Sequence, residues 1–208
     1  MIKTGISSLD IILQGGIKEG SKVLVTNNPE IENQQFINHI IYTLLEQKRK
    51  VIYITNNKKE ITVKKRFKEC KLNITPFEKN KKLIIVDAYT DIVKKESIKK
   101  VIEKIKKRME KISQETIIIV DSLSSFFDVY GAKKEVQRSI DQLLDGVRKN
   151  TVLITNTMWL KKKNEVMVKK SDCIIELKAI EKEIILRKYF MVSKARWIKN
   201  LKKEAMLF

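Results

Sequence analysis

Few side chains in this sequence stand where they could do chemistry, and most of them are cations. Lys194 and Arg196 sit two residues apart in an apolar run, so both project from one strand face. Trp159 precedes Lys161, Lys162 and Lys163. An aromatic beside a basic run can stack a nucleobase while the lysines hold phosphates. A partly buried Trp next to a solvated loop fits the same residues. His39, the single histidine, has no Ser, Cys or Asp partner at a recognisable spacing, and a structural role is expected. There is no Gly-x-Ser-x-Gly elbow, no HExxH pair and no EF-hand loop. Cys70 and Cys173 lie far apart without metal-ligand spacing. Neither a disulfide framework nor a metal site is expected.

Lys and Arg number 44 against 25 Asp and Glu, a net charge of +19. Two readings are open. A polyanion partner, nucleic acid or an anionic membrane surface, would use such charge. A lysine-rich proteome would also produce it by covering the surface with Lys. The bases are spread along the whole chain, which a dedicated patch would not require.

These side chains must be positioned by regular elements. The 208 residues suit one domain, and 6 Gly with 2 Pro leave little room for long linkers. Strands are expected at Lys22–Thr26, Val51–Thr55, Leu83–Asp87, Thr116–Asp121, Thr151–Thr155, Cys173–Leu177 and Glu183–Val192. Several are apolar without alternation (VIYIT, LIIVD, IIIVD), as in a parallel sheet covered on both faces. Apolar stripes at helical spacing mark helices over 31–47, 92–112 and 133–148. The alternation implies a doubly wound α/β sheet. Its last two strands form an antiparallel edge hairpin, turning near Ala179–Lys182. The opening MIKTGISSLD has no signal pattern, and no apolar run approaches the roughly 18 residues of a membrane span. A soluble, cytoplasmic protein is expected.

The opening also carries Thr4-Gly5-Ile6, Leu9-Asp10, Gly15-Gly16-Ile17 and Gly20-Ser21 ahead of the first strand. Further on come TIIIVDS at 116–122, SDCIIEL at 171–177 and MVSKAR at 191–196. In this order they resemble the KaiC/RadA group of RecA-type P-loop ATPases over most of the chain. The resemblance implies a three-layer RecA-like sandwich spanning 1–208. It also implies that the stretch after Thr26 occupies the place of the phosphate loop.

A working loop reads GxxxxGK[ST]. Its glycines let backbone N–H groups curl round phosphate, its Lys neutralises charge, and its hydroxyl holds Mg²⁺. Here the stretch is Asn27-Asn28-Pro29-Glu30-Ile31-Glu32-Asn33-Gln34. Every loop glycine is missing, Asn33 stands for the Lys, and Gln34 for the Ser/Thr. Glu30 and Glu32 add carboxylates; like charges ~4 Å apart repel by about 4 kcal/mol at an effective dielectric near 20. By the same resemblance, Asn57 and Lys58 replace the paired glutamates that activate water, and neither is a carboxylate base. Glu60, two residues on, could substitute or be simply solvated. Asp121 and Ser122 keep the Walker B pattern, as a relic or as a cap on the following turn. Lys194 and Arg196 match the Lys-x-Arg pair that reaches a neighbouring subunit's nucleotide.

The expected protein is therefore a non-catalytic RecA/KaiC-like subunit, homo-oligomeric or assembled with an active relative, with no catalytic residue assigned. Thr26, Asn33, Gln34, Asp121 and Ser122 form its vestigial nucleotide site, and bound ATP or Mg²⁺ is not expected. Two alternatives stand beside it: an ATP-binding ATPase with an atypical loop, and a charge-driven nucleic-acid-binding module.

Overall fold

The computed structural model describes residues 1–27, 33–110, 112–131, 133–157, 167–182, 185–201 and 205–207. Eight strands form one sheet: β1 (Lys22–Asn27), β2 (Val51–Thr55), β3 (Leu83–Asp87), β4 (Ile117–Asp121), β5 (Val152–Thr157), β6 (Cys173–Lys182), β7 (Ile185–Ala195) and β8 (Ala205–Leu207). Their order is β3-β2-β4-β5-β1-β6-β7-β8. The first six in the chain are mutually parallel, while β7 and β8 are antiparallel additions. β1 lies between β5 and β6, and Gly20 just before it donates its N–H to Thr151 Oγ1 across 131 residues of chain.

The central strands β1, β2, β4 and β5 are largely apolar because both faces are covered. Along each, alternate residues enter two separate cores. Val23, Val25, Val51, Tyr53, Ile117, Ile119 and Leu153 face one; Leu24, Ile52, Ile54, Ile118, Val120, Val152 and Ile154 face the other. The first core is closed by α1 (Ser7–Ile12), α2 (Gln34–Glu46) and α3 (Glu60–Glu69). The second is closed by α5 (Tyr89–Val93), α6 (Ile98–Met109), α7 (Leu123–Tyr130) and α8 (Lys134–Gly146). A short α4 (Thr75–Lys79) precedes β3. This is a three-layer α/β/α sandwich. α6 shows how the layers are held. It buries Ile98, Val101, Ile102, Ile105 and Met109 on one stripe while Lys and Arg solvate the other. At ~1.5–3 kcal/mol per fully buried side chain, that stripe fixes the helix against the sheet.

Two expectations need correction. The stripe over 92–112 is two helices, because Ser97 caps α6 by accepting from the Lys100 N–H and Lys95 adopts a left-handed φ of 59°. The hairpin does not turn at Ala179–Lys182. Those residues continue β6 and pair with Ile185–Lys188, since extending the ladder satisfies more backbone groups than an early turn. The antiparallel hairpin closes this side of the sheet as expected, with the short β8 pairing outside β7 over Tyr189–Met191. β3 forms the opposite edge. The N-terminal motif acts as a clip. Asp10 accepts from the Thr4 N–H and hydroxyl at 2.8 and 2.9 Å, and Ile2 and Ile17 exchange backbone hydrogen bonds. Gly16 lies in this bridge at φ 116°, where a Cβ would stand 2.1 Å from the Ile2 carbonyl oxygen.

Candidate functional site

The carboxyl ends of β1, β2, β4 and β5 meet the start of α2, and here the polar residues of the first core gather. Tyr53, Asp121 and Thr155 occupy alternate positions on the α2 face of three adjacent strands. Asp121 is 3% exposed. Its Oδ1 accepts from the Thr155 hydroxyl at 2.7 Å. Its Oδ2 accepts from the Tyr53 hydroxyl and, at 3.3 Å, from the Lys58 ammonium. The carboxylate thus meets donors from two neighbouring strands and a loop. It does not cap the following turn; α7 begins without a side-chain cap.

α2 contributes Asn33 and Gln34. Asn33 precedes the helix, and its amide donates to Asn27 Oδ1 at 2.9 Å. Gln34 is buried in the first turn. Its Nε2 donates to Asn38 Oδ1 at 2.7 Å and to the Tyr53 hydroxyl at 3.4 Å, and its Oε1 accepts from Lys58 Nζ. One ammonium therefore joins the amide of α2 to the carboxylate of β4.

Lys58 is held by the turn that follows β2. The Thr55 hydroxyl donates to the Lys58 carbonyl at 2.7 Å. The Asn56 N–H donates to the Asp121 carbonyl at 3.0 Å, and Asn56 Oδ1 accepts from the Ser122 N–H at 2.6 Å. Burial, then the adjacent Asp121 charge, pushes the Tyr53 hydroxyl well above its ordinary 10.0, so it stays a protonated donor. The Ser122 hydroxyl lies 2.8 Å from that of Ser125. Thr26 Oγ1 and Asn56 Nδ2 are buried without a hydrogen-bond partner among the described residues. Chemically, the cluster is a neutralised buried carboxylate ringed by hydroxyl and amide groups.

Of the expected residues, Gln34 and Asp121 are joined through Lys58, and Asn33 and Ser122 border them. Lys194 and Arg196 lie at the other end of the sheet, where the end of β7 meets the start of β6. Lys194 Nζ donates to the Val168 carbonyl at 2.9 Å. Arg196 bridges Asp172 Oδ1 and the Lys169 carbonyl, each at 2.9 Å. Burial, then the neighbouring Arg196, lowers the Lys194 ammonium below its ordinary 10.5. Neither cation belongs to this chain's own cluster. Trp159 and Lys161–Lys163, like Asn28–Glu32 of the loop, lie outside the described residues. His39 donates from Nε2 to the Gly5 carbonyl at 3.1 Å on the surface, a structural contact. The Glu60 N–H is bound by Asp87, and its carboxylate pairs with Lys64 at 2.6 Å, away from the cluster.

Sequence reasoning missed Tyr53, Thr155 and the reach of Lys58. Tyr53 carried a signal: a hydroxyl inside the buried run VIYIT must find a partner. Among the described residues no group of His, Cys, Asp and Glu could hold a metal ion, and no helix is long and apolar enough to cross a membrane.

Residues 2–207 match the family model described as the KaiC ATPase. A UPF0273 protein of Thermotoga maritima is 30% identical over 150 residues, covering 67% of this chain and 61% of that protein. One of Saccharolobus solfataricus is 29% identical over 151 residues, covering 67% and 52%. The chain thus spans between about half and three-fifths of the length of these relatives. A KaiC-like protein from Pyrococcus horikoshii superposes with a TM-score of 0.76 at 19% identity, over 100% of this chain and 93% of that one. The flagellar accessory protein FlaH from Methanocaldococcus jannaschii superposes at 0.78 with 15% identity, over 100% and 92%. At such identities the shared property is the fold.

Proposed function

The chain belongs to the KaiC ATPase family, and on that premise we propose that it is a non-catalytic member acting as a regulatory or structural subunit, assembling with itself or with an active relative. The observation that carries this reading is the use of Asp121. Both carboxylate oxygens are taken by the chain's own donors, Thr155 on one side and Tyr53 with Lys58 on the other. A magnesium–nucleotide group does not fit the residues around it. The amide of Asn33 and the amide of Gln34 stand where a phosphate cation and a metal-binding hydroxyl would be needed. Lys58 stands where a carboxylate base would be, and its charge already sits on Asp121.

The placement of Lys194 and Arg196 at the far end of the sheet supports a role toward another subunit. They can serve a second chain's site without approaching their own, once their contacts to Val168, Lys169 and Asp172 are released.

The test is calorimetric titration of the protein with Mg-ATP and with Mg-ADP. No heat and no thermal shift up to millimolar nucleotide is the expected result. Micromolar binding would overturn it and return the chain to the ATP-binding members of its family. The assembly arm mixes the chain with an active KaiC-like ATPase. Stimulated turnover that is lost in the Lys194→Ala/Arg196→Ala variant is expected; stimulation unaffected by that variant removes the trans-acting role.

A further inference from the structure

We propose that the groove between α3 and α4 is a docking surface for an acidic segment of a partner protein. The segment seats apolar side chains on Ile61, Leu72 and Ile74 and sets its carboxylates against Lys68 and Lys71. This surface uses none of the residues around Asp121, and it stands whether or not that cluster takes nucleotide.

The groove has a volume of about 770 Å³. Its floor is Ile61 of α3 with Leu72 and Ile74 from the connection to α4. Ile74 belongs to the first core and Leu72 packs against it, so the floor is anchored from below. The turn that carries them is fixed. Lys71 ends α3 at a left-handed φ of 57°, and the Leu72 N–H donates back to the Phe67 carbonyl at 3.0 Å. Lys64 joins the two walls, pairing with Glu60 of α3 at 2.6 Å and with Glu78 of α4 at 2.8 Å. The recess therefore exists before any partner arrives. Ile61 is 72% exposed. A lone exposed apolar side chain is ordinary, but beside two others in a recess it offers an anchor point. Charge then selects the occupant. Four lysines line the groove against one acid, Glu78, which Lys64 already holds. Lys65 lies 3.9 Å from Glu69. Lys68 and Lys71 have no acidic partner among the described residues. Lys68 follows Ile61 and Lys64 at helical spacing, so its ammonium borders the same recess. Unpaired ammoniums along an apolar floor complement carboxylates interleaved with apolar side chains. Nucleic acid fits less well. Among the described residues no aromatic ring lines the groove to stack a base, and phosphates would leave its floor bare. A bilayer takes up apolar side chains that protrude, not a recess.

The experiment is fluorescence anisotropy of a labelled synthetic peptide with Leu at helical spacing and Glu elsewhere, titrated with the full chain. It is run at ~200 mM salt, where long-range attraction to the basic surface is screened. Saturable binding is expected. Lys68→Glu/Lys71→Glu and, separately, Ile61→Asp should each weaken it on the order of tenfold. All three positions are exposed, so both variants should melt like the wild type. Lys107→Glu/Arg108→Glu, a charge reversal on α6 outside the groove, should leave binding unchanged. Peptides with Gln for Glu, or with Ser for Leu, should each bind on the order of tenfold more weakly. Absence of binding, equal weakening by the α6 variant, or a Gln peptide that binds as well as the Glu peptide overturns the proposal. So does any other occupant that alone depends on Lys68 and Lys71: a second copy, read as dimerisation lost in Lys68→Glu/Lys71→Glu, or phosphatidylserine vesicles, or duplex DNA.

Discussion

At the scale of single residues, Tyr53 shows most directly how the buried cluster is balanced. Its hydroxyl donates to Asp121 from a fully buried position, and burial with that neighbouring charge raises its titration well above 10.0. Tyr53→Phe removes a donor from a buried carboxylate, so a loss of ~1–3 kcal/mol is expected in urea unfolding at neutral pH. The sign at high pH follows from linkage. The folded state holds this proton more tightly than the unfolded state, so the stabilisation is complete below about pH 10 and is lost as pH rises further. Cys173 acts in the same direction, its thiol pushed from 9.0 up to about 12 chiefly by burial. Wild-type stability should therefore fall from about pH 9 upward, and Tyr53→Phe should fall less steeply above pH 10. Unfolding midpoints measured in steps from pH 7 to 11 check both slopes. Much of this cluster was visible as residue types: Asp121 stood after IIIV, and Gln34 in the helix-opening position. The reach of Lys58 was not, because it depends on a turn fastened by Thr55 and Asn56 to a strand more than sixty residues away. Lys194 and Arg196 read as a free pair for the same reason, since their partners come from 168–172.

At the scale of elements, the central strands were legible because burial on both faces leaves only apolar, β-branched residues. β2 and β3 match their expected bounds, and β4 begins one residue later than expected. The errors fell where local polarity competes with pairing. The segment Ala179–Lys182 has the charge of a turn, yet the ladder continues through it. Ser97 is a cap inside what reads as one continuous stripe. Glycine gives a contrast between elements. Gly16→Ala puts a Cβ 2.1 Å from the Ile2 carbonyl at a φ of 116°, so the Ile2–Ile17 bridge must open. A loss of ~1–3 kcal/mol is expected. Gly146→Ala, at the end of α8 with nothing within 4 Å, should be neutral or gain up to ~0.5 kcal/mol from helix propensity. Paired urea midpoints read the two opposite signs.

At the scale of the whole molecule, the charge of +19 is spread over many elements, and several bases are held by acids: Lys104 with Asp91 and Glu96, Lys64 with Glu60 and Glu78. Any association with duplex DNA is accordingly expected to be electrostatic and sequence-independent. Its log–log salt dependence should have a slope of about −0.9 per phosphate neutralised, and affinity should be lost by ~200 mM salt. Lys194→Ala/Arg196→Ala should leave that slope unchanged, because both side chains are bound within the chain. Fluorescence anisotropy across a salt series measures it. The position of β1 in the sheet has a different consequence, one that concerns the chain while it is being made. β1 is translated first of all the strands, yet both its neighbours, β5 and β6, come from the far end of the chain. At ~5–20 residues per second, the 131 residues from Gly20 to Thr151 take roughly 7 to 26 seconds to be made. Throughout that interval β1 is made without either of the strands it pairs with in the folded sheet, so its apolar residues cannot reach their native neighbours until β5 and β6 have been synthesised.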